Sequence, residues 1–298
     1  MKIVVAGASG LIGRALVAAL HERGDDVRQL VRRPAKEPGE IFWQPAMREL
    51  DPTAIEGVDA IVNLAGENIA GGRWTAARRQ RILSSRVEAT RTLVTTCAKL
   101  ARKPAVFVNA SAVGIYGETG DSEVTEASPP GLGFLPETCL IWETNAEGAA
   151  RLGVRTVLLR FGVVLAREGG ALAKMLPVFR IGLGGRLGAG AQWMSWVSLD
   201  DVVGAVLHAI DRAECRGAIN VVAPAPVTNA EFTATLADAL GRPALFPVPA
   251  WVLRAIFGEM ATETLLVSTR ARPARLIETG YGFRYPAIAP ALRAALAG

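Results

Sequence analysis

The chain has 298 residues, half of them hydrophobic, and carries 33 Lys and Arg against 28 Asp and Glu, a net charge of +5. That length can bury a full core, and that apolar fraction excludes a disordered chain. No apolar run reaches membrane-spanning length without a charge or a proline, and Cys97, Cys139 and Cys215 with only two histidines argue against a disulfide framework or a structural zinc, and for a cytoplasmic setting.

Lys2-Ile3-Val4-Val5-Ala6 reads as a short buried strand. Gly7-Ala8-Ser9-Gly10-Leu11-Ile12-Gly13 follows at once, and Arg14 to Arg23 has helical spacing that Gly24 stops. Charged Arg14 and the three glycines fit a secretion signal poorly. Strand, glycine turn and helix together form the context of a dinucleotide-binding turn. Gly7 allows the tight turn, Gly10 admits a pyrophosphate to the backbone, and Gly13 lets helix and strand pack closely. Free N–H groups at the helix start, from Ser9 to Ile12, then meet the phosphates.

The second strand, Asp26 to Val31, ends in Arg32-Arg33-Pro34. A chain reading NAD usually carries an acid there for the ribose 2′-hydroxyl. Two arginine forks suit a 2′-phosphate instead, by charge and by geometry. The expected cofactor is NADP(H), with NADPH preferred over NADH.

Further on, Glu40 to Trp43 reads as a short strand, and Asp51-Pro52 opens a short helix. Val58 to Leu64 is a strand buried on both faces, whose exit, Asn63, Ala65 and Gly66, would lie beside the cofactor. Asn63 suits a tie between neighbouring backbones. Residues 75–100 read as one long helix or two in series, and its basic run Arg78, Arg79, Arg81 and Arg86 reads as a solvated face without a nucleic-acid-reading motif. A buried strand over 105–111 exits into Ala112 to Gly117; then come a loop, a helix over 134–151 and a strand over 154–165. Residues 169–190 are glycine-rich and partly helical, 192–197 extended, 198–212 helical with Ser198 as N-cap, and 218–222 the last strand. Beyond Pro226 short helices are interrupted by prolines. The expected fold is α/β: a Rossmann-type doubly wound parallel sheet over residues 1–225, with a small, mostly helical C-terminal unit over 226–298 on the substrate side and help from 166–195.

These residues resemble the extended short-chain dehydrogenase/reductase family of nucleotide-sugar epimerases and dehydratases. The likeness rests on the G-x-x-G-x-x-G turn, Asn63-Leu64-Ala65-Gly66, Ser111 after its strand, and Ser198-Leu199-Asp200-Asp201. It is nearer to an atypical branch of epimerase family proteins with a small C-terminal domain of unassigned function. That branch shares Ser84-Ser85-Arg86, Ser111 to Gly117, Trp142-Glu143, Gln192 to Trp196, and Pro273 followed by Gly280-Tyr281-Gly282-Phe283. The resemblance adds Leu64, Arg86, Ser111 and Arg160 to the expected cofactor contacts, and it implies a small-molecule substrate.

The parent family transfers protons with a Tyr four residues before a Lys. No tyrosine here has a lysine four residues on. Aligned through Trp142-Glu143, Leu135 stands at the Tyr position and Cys139 at the Lys position. Ser111, Tyr116 and Glu143 are the candidate catalytic residues in their place, and Trp193 and Trp196 the candidate substrate contacts. Tyr116 equally reads as packing, Glu143 as a salt-bridged helix residue, Cys139 as a small buried hydrophobe, and the two tryptophans as interface filler. The reading is an NADP(H)-binding epimerase or reductase of unknown substrate, with a non-catalytic NADP(H) sensor or scaffold as the alternative. No metal, nucleic-acid or membrane partner is expected, and the chain reads as a monomer or homodimer.

Overall fold

The computed structural model describes residues 1–297. Seven parallel strands form the central sheet: β1 (Lys2–Ala6), β2 (Asp26–Val31), β3 (Glu40–Phe42), β4 (Ala60–Asn63), β5 (Val106–Ala112), β6 (Arg155–Phe161) and β7 (Gly217–Val221), in the order β7-β6-β5-β4-β1-β2-β3. The chain starts at the middle, runs out to β3, then returns to β4 on the other side of β1. The order therefore reverses between β1 and β4, where open α/β sheets place their ligands.

Helices cover both faces, which is why the strands read as unbroken apolar runs. On one face Ile3, Val5, Val62 and Val108 pack against Leu16 of α1 (Leu11–Glu22) and Val206 of α5 (Leu199–Asp211). On the other, Val4, Ile61, Phe107 and Leu158 pack against Leu93 of α2 (Ala76–Lys99) and Ala146 of α3 (Phe134–Ala146). Thr75 caps α2, its side chain accepting from the Arg78 N–H, and the whole stretch is one helix.

Two expected elements are divided. The strand expected over 154–165 breaks at Gly162, where a Cβ would stand 2.4 Å from the Ser195 carbonyl oxygen. The chain there steps out of the sheet, and Val163–Leu165 pairs with Trp196–Ser198 instead. The helix expected over 134–151 ends at Ala146, and a separate short 3-10 turn, Ala150–Leu152, follows.

A second core lies beyond the sheet. Leu172, Leu176 and Phe179 of α4 (Gly170–Arg180) meet Phe232 and Leu236 of α6 (Asn229–Leu240) and Leu292 of α9 (Ile288–Ala297). Between them the chain makes α7 (Ala250–Phe257) and α8 (Ala274–Glu278), and α8 returns Leu276 to the first core. Asp201 ties this return to α5. It accepts the Ser198 hydroxyl at 2.7 Å, the Arg284 N–H at 2.7 Å and the Tyr285 N–H at 3.0 Å, while Tyr281 Oη donates at 3.2 Å. Burial and the Asp201 carboxylate push the Tyr281 hydroxyl's pKa up.

The turn between β1 and α1 tolerates no bulk. A Cβ on Gly13 would lie 2.1 Å from the Gly7 carbonyl oxygen. Gly13→Ala should lower the unfolding free energy by about 2 kcal/mol or more, as an overpacked site with no room to relax. Urea denaturation checks this, and an unchanged midpoint would show that the helix can slide away from the turn.

Candidate functional site

The glycine turn is built from close backbone approaches. Gly7 has φ +82°, and a Cβ on it would lie 2.7 Å from the Leu64 carbonyl, so β1 and β4 exit side by side. Gly10 faces outward, with its N–H bonded to Gly7 O at 3.0 Å. It is the N-cap of α1, gives no side-chain cap, and is followed by no acid in the first turn. The N–H groups of Leu11, Ile12 and Gly13 have no intrahelical acceptor at such a helix start, so the turn presents donors and a positive dipole end suited to an anion. Exposed Ser9 lends its carbonyl to Arg14 at 2.7 Å. Leu11 packs on Gly169 at the head of α4, which closes one side of the turn.

The two arginines after β2 differ. Arg33 forms a two-pronged pair with Glu40, one prong Nη1 to Oε2 at 2.7 Å. Arg33 and the N–H groups of Lys36 and Glu37 hold the Glu40 carboxyl down to about 2. Arg32 is exposed and makes no ion pair or hydrogen bond among the described residues. Of the two, Arg32 is the uncommitted cation.

Asn63 ties strands together. Its amide donates to Asn109 Oδ1 at 2.7 Å and Thr90 Oγ1 at 3.0 Å, and its oxygen accepts the Ala65 N–H at 3.2 Å. Trp142 donates to the same Thr90 at 3.0 Å. Over the Trp142 ring, at 5.0 Å, stands the guanidinium of Arg86, whose Nη1 donates to the carbonyls of Glu67 and Ile82. No carboxylate pairs with it among the described residues, and burial pulls its pKa down. It lies against Gly66, where a Cβ would be 3.2 Å from its Cζ.

Ser111, Arg160 and Asn220 stand abreast on β5, β6 and β7 as register partners. Ser111 Oγ donates to Glu143 Oε1 at 2.6 Å. Arg160 grips both oxygens of Glu143, Nε to Oε1 at 2.9 Å and Nη2 to Oε2 at 2.8 Å, and donates through Nη1 to Tyr116 Oη at 2.8 Å. Tyr116 donates on to Asn220 Oδ1 at 2.7 Å. The structure thus joins all three candidate catalytic residues in one buried chain. Tyr116 is 3% exposed with both hydroxyl functions engaged, and burial raises its pKa, so it is a brace rather than a free proton donor. Glu143 is the salt-bridged helix residue. Asn220 escaped the sequence reading; its signal was an amide inside the apolar run Ala218 to Val222, which needs a partner.

Leu135 and Cys139 are buried on α3, and burial pushes the Cys139 thiol up to about 12. The substrate reading of Trp196 is corrected. It is 0% exposed, packs in the second core, and donates its indole N–H to Ala225 O at 3.0 Å, leaving no surface for a ligand. Trp193 is half-buried, with Arg270 stacked 4.3 Å from its ring centre and Asp121 accepting its N–H at 2.9 Å.

A parallel sheet with an open helix N-terminus beside its order reversal defines a Rossmann-type nucleotide-binding fold. A model of the NAD dependent epimerase/dehydratase family matches residues 3–222, and a domain of unknown function (DUF1731) matches residues 248–295. The chain belongs to the NAD dependent epimerase/dehydratase family. It is 45% identical over 290 residues to an epimerase family protein of Mycobacterium bovis, covering 97% of this chain and 96% of that one. It is 38% identical over 299 residues to the human epimerase family protein SDR39U1, covering 98% and 99%. A crystal structure of the human protein (isoform 2) with NADPH matches with a TM-score of 0.91 at 36% identity over 100% of both chains. A nucleoside-diphosphate sugar epimerase from Corynebacterium glutamicum matches with a TM-score of 0.83 at 34% identity, over 99% of this chain and 58% of that chain.

Two outcomes test the site's internal chemistry. Glu143→Ala leaves Arg160 buried without its counter-ion and should cost about 3–5 kcal/mol in a urea melt; a loss under 1 kcal/mol would mean that water readily replaces the carboxylate. Cys97 and Cys139, both pushed up to about 12, and buried Cys215 should resist iodoacetamide at about pH 8 until the chain is unfolded. Mass spectrometry that finds any of them alkylated in the folded protein would contradict their burial.

Proposed function

We propose that the chain binds NADP(H) and acts as an oxidoreductase or epimerase of the extended short-chain dehydrogenase class. The observation that carries this is the uncapped start of α1 at Gly7–Gly13 with the uncommitted Arg32 beside it. A dinucleotide pyrophosphate fits the open N–H groups of Leu11, Ile12 and Gly13, and a 2′-phosphate fits Arg32. Arg33 shapes the loop through Glu40. The human relative solved with NADPH supports the same choice of cofactor. When bound, the nicotinamide supplies or accepts a hydride.

The protein's own part is to orient that cofactor and to hold a proton. Ala65, Gly66 and Arg86 border its path, and Arg86 brings to Cys139 and Trp142 a cation that α3 itself lacks. Ser111 is the acid–base contact. A substrate hydroxyl that donates to Ser111 Oγ completes a line to Glu143, which already accepts the Ser111 proton at 2.6 Å. Arg160 keeps Glu143 in place and belongs to this support rather than to the cofactor. Trp193 is the remaining aromatic candidate on the substrate side.

One observation favours the second reading, a nucleotide sensor without turnover: Glu143 and Tyr116 are both fully engaged by Arg160. Equilibrium titration with NADPH and NADH comes first. Arg32→Ala should weaken NADPH by about 1.5–3 kcal/mol and leave NADH unchanged; Arg33→Ala should do less. Equal losses for the two nucleotides would refute the 2′-phosphate assignment. Nicotinamide absorbance with a panel of carbonyl compounds then separates the readings. Oxidation of NADPH that Ser111→Ala removes while nucleotide affinity persists supports the enzyme, and oxidation untouched by that change removes Ser111 from the mechanism.

A further inference from the structure

We propose that the face formed by α4, the loop after it and α7 docks on an anionic lipid bilayer. This inference is independent of the proposed activity. Its basis is a coincidence of apolar exposure and charge on two chain segments, 174–187 and 241–257, that lie side by side. Phe246 N–H donates to Gly184 O at 3.2 Å, Val248 N–H to Arg186 O at 2.9 Å, and Gly188 N–H to Val248 O at 2.8 Å.

Along this face six large apolar side chains stand in solvent: Val178 (47% exposed), Ile181 (69%), Leu183 (51%), Leu245 (75%), Phe246 (54%) and Trp251 (70%). The exposed positions 174, 177 and 178 of α4 and its C-cap 181 follow the i, i+3, i+4, i+7 stripe of one helix face, the opposite side from buried Leu172, Leu176 and Phe179. On α7 Trp251 and Arg254 share a face opposite buried Leu253.

The same segments carry Lys174, Arg180, Arg186, Arg242 and Arg254, all exposed, and no Asp or Glu, although the chain holds 28 acids in 298 residues. Their charge equals the net +5 of the whole protein. At the rim, Asp238 is exposed, and Glu259 is committed to Arg79 at 2.8 Å.

Apolar and aromatic tips ringed by arginine match an anionic membrane surface, where the tips enter the acyl boundary and the cations meet headgroups. A second copy fits less well, because a two-fold interface would set five cations against the same five. Among the described residues no helix is long and apolar enough to cross a membrane, so the proposed contact is a surface one. The proposal departs from the sequence-based expectation of no membrane partner. Because α4 begins where Leu11 meets Gly169, docking sets the edge of the glycine turn near the bilayer.

The test is cosedimentation of the full chain with phosphatidylcholine vesicles and with vesicles containing about 30% phosphatidylglycerol, at low and at high salt. Retention on the anionic vesicles should exceed that on neutral ones at least tenfold and fall with salt. Phe246→Ser with Trp251→Ser, and separately Arg180→Ala with Arg242→Ala, should each lower the partition coefficient roughly tenfold or more, since one cation near such a surface counts for about a factor of five. These side chains are exposed, so unchanged thermal unfolding confirms that the variants are folded. Equal retention on the two vesicle types, no retention on either, or variants that bind like the parent would overturn the proposal. So would a dimer in light scattering that Phe246→Ser with Trp251→Ser dissociates, since a second copy would then cover the face.

Discussion

A guanidinium buried at the carboxyl end of a strand one place in from the sheet's edge governs this side of the protein. Arg160 sits on β6 with Ser111 and Asn220 as register partners on either side. Taking a cation out of water costs several kcal/mol unless a counter-ion and further acceptors replace the solvent. Glu143, Tyr116 and the Glu126 carbonyl fill that role. The Glu143 acid and the Tyr116 phenol, two of the three candidate catalytic residues, are thereby enlisted to hold an arginine. The Ser111 hydroxyl, itself 3% exposed, stands at one end of this chain of bonds.

The charges just beyond β2 and β4 follow a complementary rule. Among the described residues Arg32 and Arg86 have no carboxylate partner, whereas Arg33, one residue from Arg32, is locked to Glu40. Arg86 spends Nη1 on the carbonyls of Glu67 and Ile82, so of these three arginines it is Arg32 that is uncommitted among the described residues. Sequence adjacency cannot distinguish them, because the distinction lies in which loop folds back beneath them.

Much of the sheet was readable in the order of residues. Apolar runs at 2–6, 58–64 and 105–111 admit little besides doubly covered strands, and Thr75, Ser198 and Pro52 mark helix starts through local chemistry. Where the reading failed, the cause was tertiary. Nothing local at Gly162 says that Ser195 will cross it, and nothing in Gln192 to Trp196 separates a tryptophan at the surface from one sealed between α4 and α6. The site divides in the same way. The glycine turn is a local device and could be read locally. The Ser111–Glu143–Arg160–Tyr116–Asn220 chain includes a hydrogen bond that spans 104 positions. The register of three strands brings Ser111, Arg160 and Asn220 together, while Glu143 arrives on α3 and Tyr116 on the turn after β5.

Asp201 carries a consequence for how the molecule comes apart. It is 1% exposed, and its hydrogen bonds come from Ser198 on one side and from residues 281–285 on the other. Peeling the C-terminal segment away would strand a buried carboxylate beneath the first turn of α5, at the heart of the first core. Asp201 thus couples residues 281–285 to the start of α5. The tail is therefore less a fraying end than a clasp, because releasing it would cost a buried charge its partners.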